Sequence, residues 1–154
     1  MKNIFITAIA ILCMVSYSHA QDYKTGIGFR GGFSQGLTAK HFISEKVAIE
    51  GILASRHKGF IITGLYELHT RAFEVDRLNF YYGFGGHIGF GDESKEDWGN
   101  EKMILGIDGI LGLEYSFTSV PFNIGVDWKP AFNLAGGENW GWGDSGALSI
   151  RYIF

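Results

Sequence analysis

The sequence predicts an all-β fold, an eight-stranded antiparallel up-and-down barrel, on three observations. Near the end of the chain Leu148, Ile150, Tyr152 and Phe154 fall on one side and Ala147, Ser149, Arg151 and Ile153 on the other. A period of two marks a strand with two different faces. Aromatic residues make up 16% of the chain, and 23 Gly stand beside only 2 Pro, a balance that favours strands and turns over helices. Finally, alternating segments bounded by turn residues recur eight times, and an even number returns both chain ends to one side of a barrel.

The segments run as follows. Residues 23–33 place Tyr23, Thr25, Ile27, Phe29 and Phe33 opposite Lys24, Gly26, Gly28, Arg30 and Gly32. The GxGxxG spacing at 26–31 lies inside this alternation with no helix pattern after it, so it carries no phosphate loop. Residues 37–43 form a second strand whose facing the pattern leaves open. Residues 47–54 set Val47, Ile49, Gly51 and Leu53 against Ala48, Glu50, Ile52 and Ala54. Residues 60–73 set Ile62, Tyr66 and Leu68 against Thr63, Glu67, His69 and Arg71. Residues 79–90 set Phe80, Tyr82, Phe84, Ile88 and Phe90 against Tyr81, Gly83, Gly85, His87 and Gly89. Residues 103–117 set Leu105, Ile107, Leu111, Leu113, Tyr115 and Phe117 against Gly106, Asp108, Gly112, Glu114 and Ser116. Residues 122–134 alternate most cleanly, and Pro130 predicts a bulge or strand end because it lacks a ladder donor. The connections near Ser44, Val75 and Thr118 are compact, whereas those at 91–102 and 135–145 are long.

The N-terminus reads as a secretory signal. Lys2 precedes an apolar run at 4–15, and Ser18-His19-Ala20 fits a small-x-small cleavage site. The predicted division is a signal peptide at 1–20 and one barrel domain at 21–154. The single Cys, Cys13, falls in the signal, with Leu12 rather than a small residue before it, so the mature chain carries no disulfide or thiol chemistry. A net charge of -3 without a basic block gives no electrostatic case for nucleic acid. No later stretch is long and apolar enough for a membrane helix, so any crossing uses strands.

Three features place the apolar face outside, in lipid. It is unbroken and rich in rings, more than a small interior holds. The opposite face is Gly plus charge, and an exposed soluble sheet seldom carries so much Gly. Aromatics gather near strand ends (Tyr23, Phe33, Phe80, Phe90, Tyr115, Phe117, Phe122, Phe132, Tyr152 and Phe154) as interfacial girdles do. The lumen then receives an ion-pair network of Arg30, Glu50, Glu67, Arg71, Asp108, Glu114, Asp127, Lys129 and Arg151, with Lys24, His69 and His87. Glycines make room for these side chains, and eight strands enclose only enough space for side chains to fill.

The terminal Phe154, with Tyr152, Ile150 and Leu148 at alternate positions before it, resembles the C-terminal assembly signal of Gram-negative outer-membrane barrels. With the export signal, the strand number and the alternation of short and long connections, the mature chain resembles the small eight-stranded family of outer membrane protein X and the barrel of outer membrane protein A. The resemblance implies the outer membrane as location, lipid and lipopolysaccharide around the barrel, the barrel-assembly machinery as partner of the last strand, and a monomer. It implies an architecture and no activity.

No catalytic motif, cofactor site or metal site is read from the sequence. His69 and His87 lack the close spacing that would converge three or four metal ligands. The acidic stretch Asp92, Glu93, Glu96, Asp97 and Glu101 lacks the oxygen-ligand spacing of a calcium loop. Trp98, Trp140 and Trp142 are candidates for surface contact, against the plainer reading that they anchor loops at the headgroups. Two competing functions are a lipid A-modifying enzyme, for which Ser55, His57, Asp144 and Ser145 match no motif, and a soluble periplasmic lipocalin-like carrier with the apolar face inside.

Overall fold

The computed structural model describes residues 23–32, 35–56, 59–73, 75–91, 102–135 and 146–154. Among these residues nine strand segments form one sheet: β1 Thr25–Gly32, β2 Gln35–Ser44, β3 Val47–Arg56, β4 Gly59–Arg71, β5 Leu78–Gly91, β6 Lys102–Ser116, β7 Phe122–Trp128, β8 Ala131–Ala135 and β9 Ala147–Ile153. From β1 to β7 each segment pairs antiparallel with the next, β7 pairs on its other side with β9, and β1 pairs with β9 from Gly26↔Ile153 to Gly32↔Ala147. β7 and β8 both pair with β6 and make one interrupted strand, so the sheet closes as an eight-stranded barrel. Closure removes both sheet edges, which would otherwise leave unpaired backbone donors and acceptors.

Pro130 interrupts the seventh strand without shifting its register. Asp108↔Ala131 and Leu111↔Trp128 are separated by two residues on each strand. Gly109 N donates to Pro130 O at 2.9 Å, but proline has no N–H to return the second bond of the pair. The strand end expected at Pro130 falls between β7 and β8, and a bulge lies further on, at Leu105/Gly106, opposite Leu134.

The alternation divides the barrel sharply. Phe29, Phe84, Leu134 and Val126 are 73%, 69%, 67% and 58% exposed, and their neighbours on the outer face follow them. Arg30, Glu50, Glu67, Asp108, Glu114, Asp127, Lys129 and Arg151 are all buried inside. A soluble monomer rarely exposes a contiguous apolar patch beyond roughly a few hundred Å². Here such side chains cover strand after strand.

Three compact turns and both described chain ends lie at one end of the barrel, the turn end. Ser44 pairs with Val47, Ala72 N donates to Leu78 O at 2.8 Å, and Phe117 N donates to Phe122 O at 3.0 Å. Phe73 and Arg77 take positive φ (52° and 66°) in the second of these turns. Outward rings meet near this end: Phe80 with Tyr82, Tyr115 with Phe117, and Phe122 with Tyr152, which also meets Phe154. Phe60 and Phe90 meet towards the other end.

Two residues depart from the expected alternation. Tyr23 is buried in the barrel mouth rather than on the girdle, and Lys24 is exposed rather than in the lumen. Lys24 N and Thr25 N both donate to Phe154 O, at 3.3 and 2.9 Å. Two successive donors on one carbonyl are the mark of a bulge, and the bulge reverses the facing of what precedes it. Phe33 lies outside the described residues.

The closed ladder predicts that detergent-extracted mature protein migrates faster unboiled than boiled on a denaturing gel. Identical migration would mean that the strands do not close.

Candidate functional site

The lumen is where the chain concentrates chemistry. Lys40 lies at its centre, fully buried on β2. Its ammonium stands 2.8 Å from Glu67, 3.1 Å from Glu114 and 3.5 Å from Glu50. An ammonium carries three donors, so one cation serves three carboxylates from three strands. The ring of Tyr81 lies under the same nitrogen, 4.0 Å from its centroid.

Arg151 supplies the second cation of this layer. Its Nη2 lies 2.5 Å from Glu50 and its Nη1 3.9 Å from Glu114. Its Nε donates to Thr38 Oγ1 at 3.3 Å and its Nη1 to Asn123 Oδ1 at 3.4 Å. The Thr38 hydroxyl donates to Glu50, and the Tyr23 hydroxyl donates to Glu114 at 2.9 Å. His69 places Nε2 3.0 Å from Glu67 and Nδ1 3.5 Å from Glu114. The imidazole is stacked on Tyr81 and edged by Phe42.

Two further groups complete the interior. Arg30 meets Asp127 through two parallel 2.5 Å hydrogen bonds, the fork geometry of a guanidinium on a carboxylate, and Tyr81 donates to the same Asp127 at 3.2 Å. Asp108 accepts from Lys129 at 2.8 Å and faces His87 Nδ1 at 2.7 Å, while His87 Nε2 lies 3.0 Å from Asn133. Between this group and the Lys40 layer runs an apolar patch of Ile52, Ala54, Leu65 and Ile110 beside Tyr81.

Glycines fit this interior in two ways. Gly112 pairs with both Tyr81 and Asp127, and the hydrogen bond between those two passes over it. A Cβ there would come 2.6 Å from Tyr81 Cζ and 2.7 Å from Asp127 Cβ. Gly106 stands likewise between His87 and Asn133. At Gly28 and Gly85, by contrast, an added Cβ would strike a carbonyl of the neighbouring strand. These two serve the close approach of backbones rather than room for long side chains.

The structure therefore joins Glu50, Glu67, Glu114 and Arg151 in one layer, Arg30 with Asp127, and Asp108 with Lys129. It does not join Arg71 to them. Arg71 has the inward parity, but it ends β4 beside the turn, and its side chain is 67% exposed and pairs with Asp76 at 3.6 Å. Leu148 and Ile150 face outward, and Tyr152 and Phe154 are half-buried against neighbouring rings. Trp98, Trp140 and Trp142, with the acidic stretch and His57, Asp144 and Ser145, lie outside the described residues; Ser55 is exposed. Among the described residues no group of three or more His, Cys, Asp or Glu is placed to hold a metal ion.

Sequence reasoning left Lys40 unplaced because residues 37–43 do not alternate cleanly, and the turn after them does not settle their facing because a bulge intervenes. Ser44 pairs with Val47, and counting back from that turn would set Lys40 opposite Gly51 on the outer face. Ile43 is an extra residue between Phe42↔Ala48 and Ser44↔Val47, and the shift brings Lys40 opposite Glu50. A buried Glu50 in search of a cation was the available signal.

Comparison with solved structures finds the same architecture. The N-terminal β-barrel domain of Pseudomonas aeruginosa OprF superposes with a TM-score of 0.66 at 17% identity, over 87% of this chain and 98% of that one. The fold is that of the OprF barrel domain. At this identity the likeness carries the architecture and leaves the chemistry to the residues themselves. No family model matches the chain, and no curated protein matches it either.

Lys40→Met would leave three buried carboxylates with one nearby guanidinium. Removing one partner of a buried pair costs about 3–5 kcal/mol, so the urea midpoint of the refolded barrel should fall sharply. Arg71→Ala should leave it in place. An unchanged midpoint for Lys40→Met would mean that the carboxylates are not held by this cation.

Proposed function

We propose that the protein is an integral outer-membrane β-barrel with a structural or surface-interaction role, not an enzyme, whose lumen is filled by side chains and does not conduct. The observation that carries this reading is the inversion of the two faces. Charged side chains converge inside while Phe, Leu, Ile and Val cover the outside. Water accounts for the opposite arrangement, and lipid accounts for this one. The outward rings near the strand ends suit the interfacial levels of a bilayer. A soluble carrier would need its apolar face turned inward.

The non-conducting part of the reading rests on the interior. Arg151 reaches Glu50 from β9 to β3, and Lys40 reaches Glu114 from β2 to β6. These ties cross the barrel between strands that are not neighbours, at a level where the side chains are wholly buried. Steady ion flow would require them to part.

On this reading the chain is exported by residues 1–20 and meets outer-membrane lipid and lipopolysaccharide with its apolar belt. The barrel-assembly machinery takes up the last strand through Leu148, Ile150, Tyr152 and Phe154, and the barrel works as a monomer. Trp98, Trp140 and Trp142 are the residues proposed for surface contact. Changing Trp140 and Trp142 to Ala should spare assembly and lower such contact.

Val126→Arg puts a charge on the outer face, where a midplane Arg costs about 2–4 kcal/mol. That variant should assemble poorly into liposomes and lose its heat-shifted gel band. Normal assembly would reverse the assignment of faces. In planar bilayers the wild-type protein should give no steady ohmic current, and a stable conductance would remove the filled-lumen reading.

A further inference from the structure

We propose that Tyr23 is a cork that closes the turn end of the lumen and shields the Lys40 layer from water on that side. The proposal rests on the filled-lumen reading and assigns one of its two closures to a single side chain.

Tyr23 precedes the first strand, and strand alternation would have turned it outward. The double donation from Lys24 N and Thr25 N to Phe154 O turns it in. Lys24 is fixed from its other side as well, because Phe42 N donates to Lys24 O at 2.9 Å. The ring of Tyr23 then meets Phe42 edge-on, with centroids 5.1 Å apart. Phe42 faces inward only because of the second bulge, at Ile43. Two independent irregularities in neighbouring strands thus bring two rings together across the same mouth.

The cluster they form, Tyr23, Phe42, Ala48 and Ile153, is buried and apolar. Ala48, Phe42 and Ile153 lie on the turn-end side of Glu50, Lys40 and Arg151 along their own strands. The apolar lid therefore stands between the ionic layer and the turn-end solution. The Tyr23 hydroxyl passes through the lid to Glu114, which Lys40 also holds. A phenol suits this place, with an apolar body for the mouth and a polar tip for the carboxylate. A hydrogen bond to a charged acceptor is stronger than a neutral one and holds the ring in position.

The test is chemical access. The mature chain has no cysteine, so Ala48→Cys gives one buried lumen thiol in the same cluster as Tyr23. A cationic methanethiosulfonate reagent, added to folded protein in detergent, should leave this thiol unlabelled with Tyr23 in place. Tyr23→Ala in the same background should turn the thiol from unlabelled to labelled. Tyr23→Ser gives the same readout should the alanine variant fail to show a heat-shifted band. Equal labelling with and without Tyr23, whether fast or absent, overturns the cork. Bilayer conductance of the same proteins separates the two readings. A wild-type barrel that does not conduct but has an open Ala48→Cys retains the filled lumen and loses the cork. A Tyr23→Ala barrel that gains both labelling and current keeps the cork and takes the seal away from the ionic layer.

Discussion

The ammonium of Lys40 among Glu50, Glu67 and Glu114 is the contact on which the interior depends. Backbone ladders bind each strand only to its neighbours, and by themselves they leave the cross-section of a barrel soft. The ionic ties act across it. Arg151 reaches over β1 and β2 to Glu50, and Tyr23 reaches Glu114 from the opposite end of the sequence. Among the described residues each buried carboxylate has a cation in contact: Glu50, Glu67 and Glu114 share Lys40, Asp127 has Arg30, and Asp108 has Lys129. An isolated ion in such a place is costly, and only geometry of this quality offsets the loss of hydration. The network is thus a demand for one particular arrangement of strands more than a source of net stability.

That demand explains where the large and small residues lie. With long ionic side chains inside, most rings outside the Tyr81 and Tyr23 clusters go outward, and many inward positions are left to glycine. Gly112 leaves the space over which Tyr81 and Asp127 meet, and Gly106 leaves that between His87 and Asn133. Gly28 and Gly85 serve the wall instead, where strands approach too closely for a Cβ. The same residue type therefore answers two constraints, interior volume and the coiling of a narrow closed sheet.

The two ends and the seam show how the chain tolerates breaks in its pattern. At Pro130 the ladder loses one bond yet keeps register, so Trp128 and Phe132 remain outside and Asp127 and Lys129 inside. At the turn end two bulges change facing on purpose of packing, bringing Tyr23 and Phe42 inward beneath the ionic layer. A single missing donor is local, whereas a single added residue inverts every side chain beyond it.

Much of this was legible in one dimension. Strand number, the up-and-down order, the separation of a charged face from an apolar one and most of the lumen ions follow from a period of two, because in a strand parity alone decides which side a residue takes. Arg30, Glu50, Asp108, Glu114, Asp127 and Arg151 were placed in this way. Parity fails where a residue is added or a strand ends. Tyr23 lies inside because a bulge resets the count, Lys40 belongs to a strand whose facing the pattern leaves open, and Arg71 stays outside because it reaches the turn, where water can solvate it. Partner choice was never in the pattern, since ion pairs form between strands whose separation in sequence says nothing of their distance across a barrel. Faces were determined by sequence; the tertiary structure decided who meets whom, because only closure of the sheet brings opposite walls within reach of one ammonium.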